Sequence, residues 1–192
     1  MMKQSAFILG LTVVVAGCGQ KDIEENKGPE AMTPLPEAIP TNGSKSLSAD
    51  VTGVWQKAGF LSGWMGTTES KPKHFFAQSV QMLDAESAVP AFSPQSQFDF
   101  SAESVWETLP SPGAAFGLSF VNPSFGDAHA KQVSQFEHLA MLNLEVSSVT
   151  DAGLKELAQL KNLKRLVLTR TDVSDGGVEE LKKALPNCEI IR

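Results

Sequence analysis

Apolar and polar positions follow two alternating rhythms along the last third of the chain. Met141-Leu142-Asn143-Leu144 places leucines at every second position, as on a strand with one buried face. A short turn follows. Val149-Thr150-Asp151-Ala152-Gly153-Leu154 then opens a stretch in which Leu154, Leu157 and Leu160 recur at helical spacing. Twenty-four residues on, Arg165-Leu166-Val167-Leu168 and Val173-Ser174-Asp175-Gly176-Gly177-Val178 run through the same residue types, with Leu181 in the place of Leu157. Each segment predicts one short strand, a turn and one helix. Thr150 and Ser174 stand where a helix N-cap belongs, and Asp151 and Asp175 lie in a first turn that favours negative charge. Gly153 lets its helix pack closely. Projected backwards, the period sets Leu118 and Phe120 under Leu142 and Leu144, Phe125 under Val149, and Asp127 under Asp151. Residues 118–141 therefore read as a degenerate earlier unit. Phe98-Asp99-Phe100, twenty residues before Leu118-Ser119-Phe120, reads as a strand and as a candidate for a still earlier one.

Upstream the pattern loosens. Val51, Val54, Trp55 and Ala58 fall at i, i+3, i+4 and i+7 after the N-cap candidates Ser48 and Asp50, which predicts a helix ended by Gly59. A short strand is expected within Phe60 to Met65, and another at Val89 to Phe92. His74-Phe75-Phe76 and Ser79 to Leu83 are ambiguous apolar runs, and Leu109-Pro110-Ser111-Pro112-Gly113 is a loop. No unit can bury its apolar face alone, so the units must stack, and the first of them needs a non-repeating cap. Residues 49–115 occupy that place. Trp55, Trp64 and Trp106 are expected to seal the core; the alternative is a ligand pocket or an enzyme site in residues 51–115.

The N-terminal segment has a different character. Lys3 precedes a ten-residue apolar run, Ala6 to Val15. A bilayer-spanning helix needs about 20 residues, so this run reads as the core of a signal peptide. It leads into Val15-Ala16-Gly17-Cys18, which resembles the lipobox of bacterial lipoproteins. That resemblance implies cleavage after Gly17, with residues 1–17 removed, and diacylglycerol and fatty-acyl (palmitate-type) attachment at Cys18. Val15 stands where leucine is commonest in that motif. Gly19 in place of an aspartate points, by the same analogy, to the outer membrane on its periplasmic side. Residues 18–48 contain Pro29, Pro34, Pro36, Pro40 and four glutamates without apolar periodicity. This composition predicts a disordered tether.

Composition narrows the function classes. Net charge is −6, which argues against a nucleic-acid surface. With Cys18 lipidated, Cys188 has no partner for a disulfide and is expected to be buried and inert. His129 and His138 have no cysteine or carboxylate at ligand spacing, so no metal site and no cofactor are expected. Ser124, Asp127 and His129 contain the residue types of a hydrolytic triad, but in the 24-residue register the last two belong to a helix start. No catalytic residue is assigned, and no nucleotide-binding fingerprint occurs.

A period of 24 with Leu-x-Leu cores is the signature of a leucine-rich repeat. Val149 to Leu157, Leu160-Lys161-Asn162-Leu163 and the ending Ala184-Leu185-Pro186-Asn187-Cys188-Glu189-Ile190 resemble the "V-T-D-A-G-L" class of bacterial leucine-rich-repeat proteins, kin to ribonuclease-inhibitor-like repeats. The clear part spans 116–192. Gly176 for alanine and His129 for the repeat glycine depart from it. The expected fold is α/β: a short solenoid with parallel strands on one face, helices on the other, and an N-terminal capping region. Ser147 and Thr171, where many such repeats carry asparagine, are expected to bond the turn backbone through their hydroxyls. The resemblance implies a lipid-anchored envelope protein, non-catalytic, attached to the membrane through Cys18 and binding an unidentified protein partner. A structural envelope protein without a dedicated ligand is the alternative. The expected binding face is the outward side of the strands. It consists of Met141 and Arg165, then Ser119, Asn143 and Val167, then Val121, Glu145 and Thr169.

Overall fold

The computed structural model describes residues 46–68, 71–77, 83, 87–101 and 103–192, all within one compact unit running from Glu37 to Arg192. The apolar run at 6–15, Cys18 and the proline-rich 19–45 segment lie outside the described residues, as does most of the 79–83 run.

Helix α1 (Ala49–Lys57) is capped by Ser48, whose Oγ accepts the Val51 N–H at 3.4 Å. Gly59, at φ +95°, turns the chain out of it. Strands β1 (Phe60–Thr68) and β2 (Lys71–Ala77) form a hairpin, and β3 (Val89–Pro94) returns antiparallel to β1. Helix α2 (Glu103–Thr108) follows. Then strand and helix alternate: β4 (Phe116–Ser119), α3 (Asp127–Val133), β5 (Leu139–Asn143), α4 (Asp151–Leu157), β6 (Arg165–Val167), α5 (Asp175–Ala184) and β7 (Glu189–Ile191). The chain is thus mixed α/β, built on a seven-stranded sheet of order β2-β1-β3-β4-β5-β6-β7. From β3 onward every pairing is parallel.

One face of the sheet carries the main core. Phe92, Leu118, Leu142 and Leu166 stand side by side in register and pack with Leu154, Leu157 and Leu181 from the helices. The leucines of this row, Leu118, Leu142 and Leu166, follow from the 24-residue spacing, because each step from β4 to β6 is one period along the chain. Trp55 stacks on Phe92, ring centroids 4.4 Å apart, and its Nε1–H donates to the Pro110 carbonyl at 3.0 Å. Trp106 is 1% exposed among Phe60, Phe98, Phe120 and Phe125. Trp64 packs beside Ala77, Leu83 and Ala88 instead. Trp55 and Trp106 therefore seal core as expected, and Trp64 lies in a separate small cluster.

Two expectations fail. Phe98 to Phe100 is a turn and not a strand: Phe98 N–H donates to the Gln95 carbonyl, Ser101 N–H donates to Asp99 Oδ1, and both rings pack inward. The place beside β4 is already held by β3, with Ala91 opposite Gly117 and Phe92 opposite Leu118. Ser147 also departs from expectation. The Thr171 hydroxyl donates to the Leu168 carbonyl at 2.7 Å, but the buried Ser147 hydroxyl makes no protein hydrogen bond.

Candidate binding face and the unit junctions

The junctions between units are organised by carboxylates. Asp127 Oδ1 accepts the backbone N–H groups of Thr150 (2.8 Å) and Gly153 (3.0 Å), and its Oδ2 accepts the Thr150 hydroxyl at 2.7 Å. The Thr150 oxygen in turn accepts the Ala152 N–H. The start of α4 is therefore satisfied by its own N-cap and by the aspartate of the preceding unit. Asp151 repeats the arrangement on α5. It takes the Ser174 N–H at 2.8 Å and the Ser174 hydroxyl at 2.6 Å, while Ser174 Oγ accepts the Gly177 N–H at 3.0 Å. The Ser174 hydroxyl, then its N–H, hold the Asp151 carboxyl below its ordinary range. Asp175 pairs with Arg192, whose guanidinium also donates to the Val173 carbonyl. The sequence located these aspartates at helix starts but assigned each to its own helix; the contact to the next unit is the part it left unread.

At α3 the same position is filled differently. His129 stands where Gly153 and Gly177 stand in the following units. Its Nδ1 accepts the Gly126 N–H at 3.0 Å, and its Nε2 lies 2.8 Å from the Phe100 carbonyl oxygen, completing a hydrogen bond to the turn before α2. The ring rests between Phe100 and Phe125, each 5.4 Å away by centroid. With both Asp127 oxygens on Thr150 and Gly153, and both His129 nitrogens on backbone, neither group is placed to act as a base for Ser124.

The backbone carries the period too. Val146 and Arg170, one unit apart, have φ of 61° and 59° in the turns after β5 and β6. A left-handed conformation at a β-branched valine is costly. The same conformation recurs at Arg170, in the corresponding turn after β6.

The outward face of the sheet is more closed than expected. Gly117 is the reason at one end. A Cβ there would meet Met65 Cβ at 3.1 Å and Met65 Sδ at 3.2 Å, although β1 and β4 flank β3. Met65 thus lies across Ala91 onto the glycine, and Met141 (8% exposed) joins this small cluster with half-buried Phe76 and Val89. Asn143 and Val167 occupy the next row but are 3% and 2% exposed, and Ser119 is 3% exposed. The Asn143 side chain turns back on its own strand end, accepting the Glu145 N–H at 2.9 Å. The expected outward lane through Ser119, Asn143 and Val167, with Met141 beside it, is corrected accordingly: these side chains are buried. Arg165 sits at 2.5 Å from Glu189, a half-exposed pair. Glu145 and Thr169 are half-buried, and Val121, at 53%, is the most exposed large apolar residue described.

No group of three or more His, Cys, Asp or Glu residues that would hold a metal occurs among the described residues. No described helix is long and apolar enough to cross a membrane. No protein-family model matches the chain, and no curated protein matches it either.

Proposed function

We propose that the chain is a lipid-anchored protein of the bacterial cell envelope. In this reading residues 116–192 form a short leucine-rich-repeat solenoid that serves as a non-catalytic scaffold for another protein. The observation that carries the repeat reading is the junction chemistry: Asp127 grips Thr150 and Gly153, and Asp151 grips Ser174, one unit later. Such a grip locks consecutive units into a stack, the form in which solenoid units bury their apolar faces. The anchor rests on Val15-Ala16-Gly17-Cys18, with two or more acyl chains giving stable attachment where one is marginal.

With Ser119, Asn143 and Val167 buried, the contact area for a partner moves to Val121, Glu145, Thr169 and the Arg165–Glu189 pair. The same burial favours the second reading, a structural body without a dedicated ligand. Two measurements decide. Labelling cells with radioactive palmitate should mark the wild type and leave Cys18→Ser unlabelled and released from membranes; equal labelling defeats the anchor. Cross-linking and pull-down should recover a defined partner that the Glu145→Lys, Arg165→Glu double variant, shown to be folded by circular dichroism, loses. Recovery of the same partner by both forms removes the sheet face from the interaction, and recovery of none by the wild type selects the structural reading.

A further inference from the structure

An open hollow of about 340 Å³ lies where the turn at 98–101 meets the start of α3. Its lining is chemically one-sided. It is lined by half-buried Phe98 and His129, buried Phe100, and exposed Asp99, Ser101 and Ser124; none of the six is a lysine or arginine.

The oxygens are unequally occupied. Asp99 Oδ1 receives both the N–H of Ser101 (2.9 Å) and its hydroxyl (2.6 Å). Asp99 Oδ2 accepts no hydrogen bond from any described residue, and neither does the Ser124 hydroxyl take part in one. The Ser101 bonds, the hydroxyl first, hold the Asp99 carboxyl below its ordinary range, so it is charged at neutral pH. The two nitrogens of His129 are committed to Gly126 and Phe100, which fixes the ring as wall. Asp99 is likewise pinned by the turn, so a ligand meets a preset carboxylate oxygen.

We propose that this hollow binds a small organic ammonium ion, a protonated amine on a compact apolar body. The charge would lie at Asp99 Oδ2, a second N–H would reach Ser124, and the body would rest against the half-buried Phe98 and His129. An anion is disfavoured because the hollow offers it a carboxylate and no cation. A neutral apolar molecule gains nothing from the exposed Asp99 carboxylate, whereas an ammonium ion gains an ion pair there. The chain's net charge of −6 favours approach of a cation.

The test uses the full chain and two probes of nearly equal shape, benzylammonium and benzyl alcohol, followed by calorimetry and by tryptophan fluorescence. Trp106 is a reporter, its ring 6.2 Å from His129 and 6.1 Å from Phe98. Benzylammonium should bind saturably, and benzyl alcohol about fivefold or more weakly. Asp99→Asn keeps the Oδ1 acceptor for Ser101 and should weaken binding about fivefold, the worth of an exposed ion pair; Ser124→Ala should weaken it less. Should Asp99→Asn fail to fold, the comparison of the two probes on the wild type still decides. Equal behaviour of the probes, absence of saturation, or undiminished binding by Asp99→Asn overturns the proposal.

Discussion

A methyl group on Gly153 would lie 2.5 Å from Asp127 Oδ1. Gly177 stands in the same relation to Asp151. The glycine is there because the preceding unit's carboxylate occupies the space a side chain needs. Gly153→Ala should therefore destabilise by about 2 kcal/mol, through overpacking and a displaced hydrogen bond. Gly176 is the control. It sits in the same helix type, exposed, with Ser174 Oγ 3.6 Å from its added Cβ. Gly176→Ala should stabilise by about 0.5–1 kcal/mol from helix propensity alone. Urea denaturation of the two variants measures both; equal effects would mean that the carboxylate does not set the glycine.

Asp151 gives the junction an acid limit. Its carboxyl is held below the ordinary value of 3.8 by the Ser174 hydroxyl and N–H. A group depressed in the fold stabilises above its unfolded value and loses that contribution as pH falls through the folded one. Stability should therefore decline on acidification below about pH 4. Asp151→Asn, which retains an acceptor but does not titrate, should decline less over the same range. Denaturation midpoints between pH 2 and pH 7 measure this; identical acid profiles for the variant and the wild type count against an energetic role for the ionised form.

Much of this was open to reading from the residues. The alternation at Leu142 and Leu144, the helical spacing of Leu154, Leu157 and Leu160, and the caps Thr150 and Ser174 fixed elements by local rules that the structure obeys. The helix from Ser48 to Gly59 was legible for the same reason. What escaped depends on neighbours in space. Phe98-Asp99-Phe100 alternates like a strand, yet β3 already fills the adjoining edge. Trp106 gave no sign of the short helix α2, because six residues carry less than two helical turns of periodicity. The burial of Asn143 and Val167 was unreadable from strand alternation, which assigns a face but not its exposure. His129 was visible only as an exception to a glycine; its bond to the Phe100 carbonyl joins parts of the chain 29 residues apart.

His129 is therefore the hinge-pin between the irregular first half and the regular second. His129→Ala removes two hydrogen bonds to backbone and ring contacts with Phe100, Phe125 and Trp106. A loss of about 2–3 kcal/mol is expected. His129→Gly, which restores the residue of the later units, should be worse still, because no described carboxylate from a preceding unit reaches the start of α3. Thermal melts of both variants test this ordering, and a more stable glycine variant would mean that α3 is capped as α4 and α5 are.

Cys188 lies between α5 and β7, 8% exposed and packed in the main core. Burial first, and then the neighbouring Glu189 carboxylate, push its thiol from 9.0 up to about 11. The thiolate is the reactive form, so raising the thiol from 9.0 to about 11 leaves about a hundredfold less of it at neutral pH. Alkylation by iodoacetamide at pH 7.5 should run about a hundredfold slower in the folded chain than in urea, before any slowing by restricted access is added. The displacement also has a consequence for stability. A thiol raised in the fold keeps its full contribution below the unfolded value and loses it as pH rises through the folded one. The wild type should therefore weaken between about pH 9 and pH 11 relative to Cys188→Ala, although the alanine variant begins less stable because it leaves a small void. Measuring both denaturation midpoints at pH 7 and at pH 10.5 distinguishes this from ordinary alkaline loosening: convergence of the two supports a buried thiol, and a constant gap shows that the thiol reaches water.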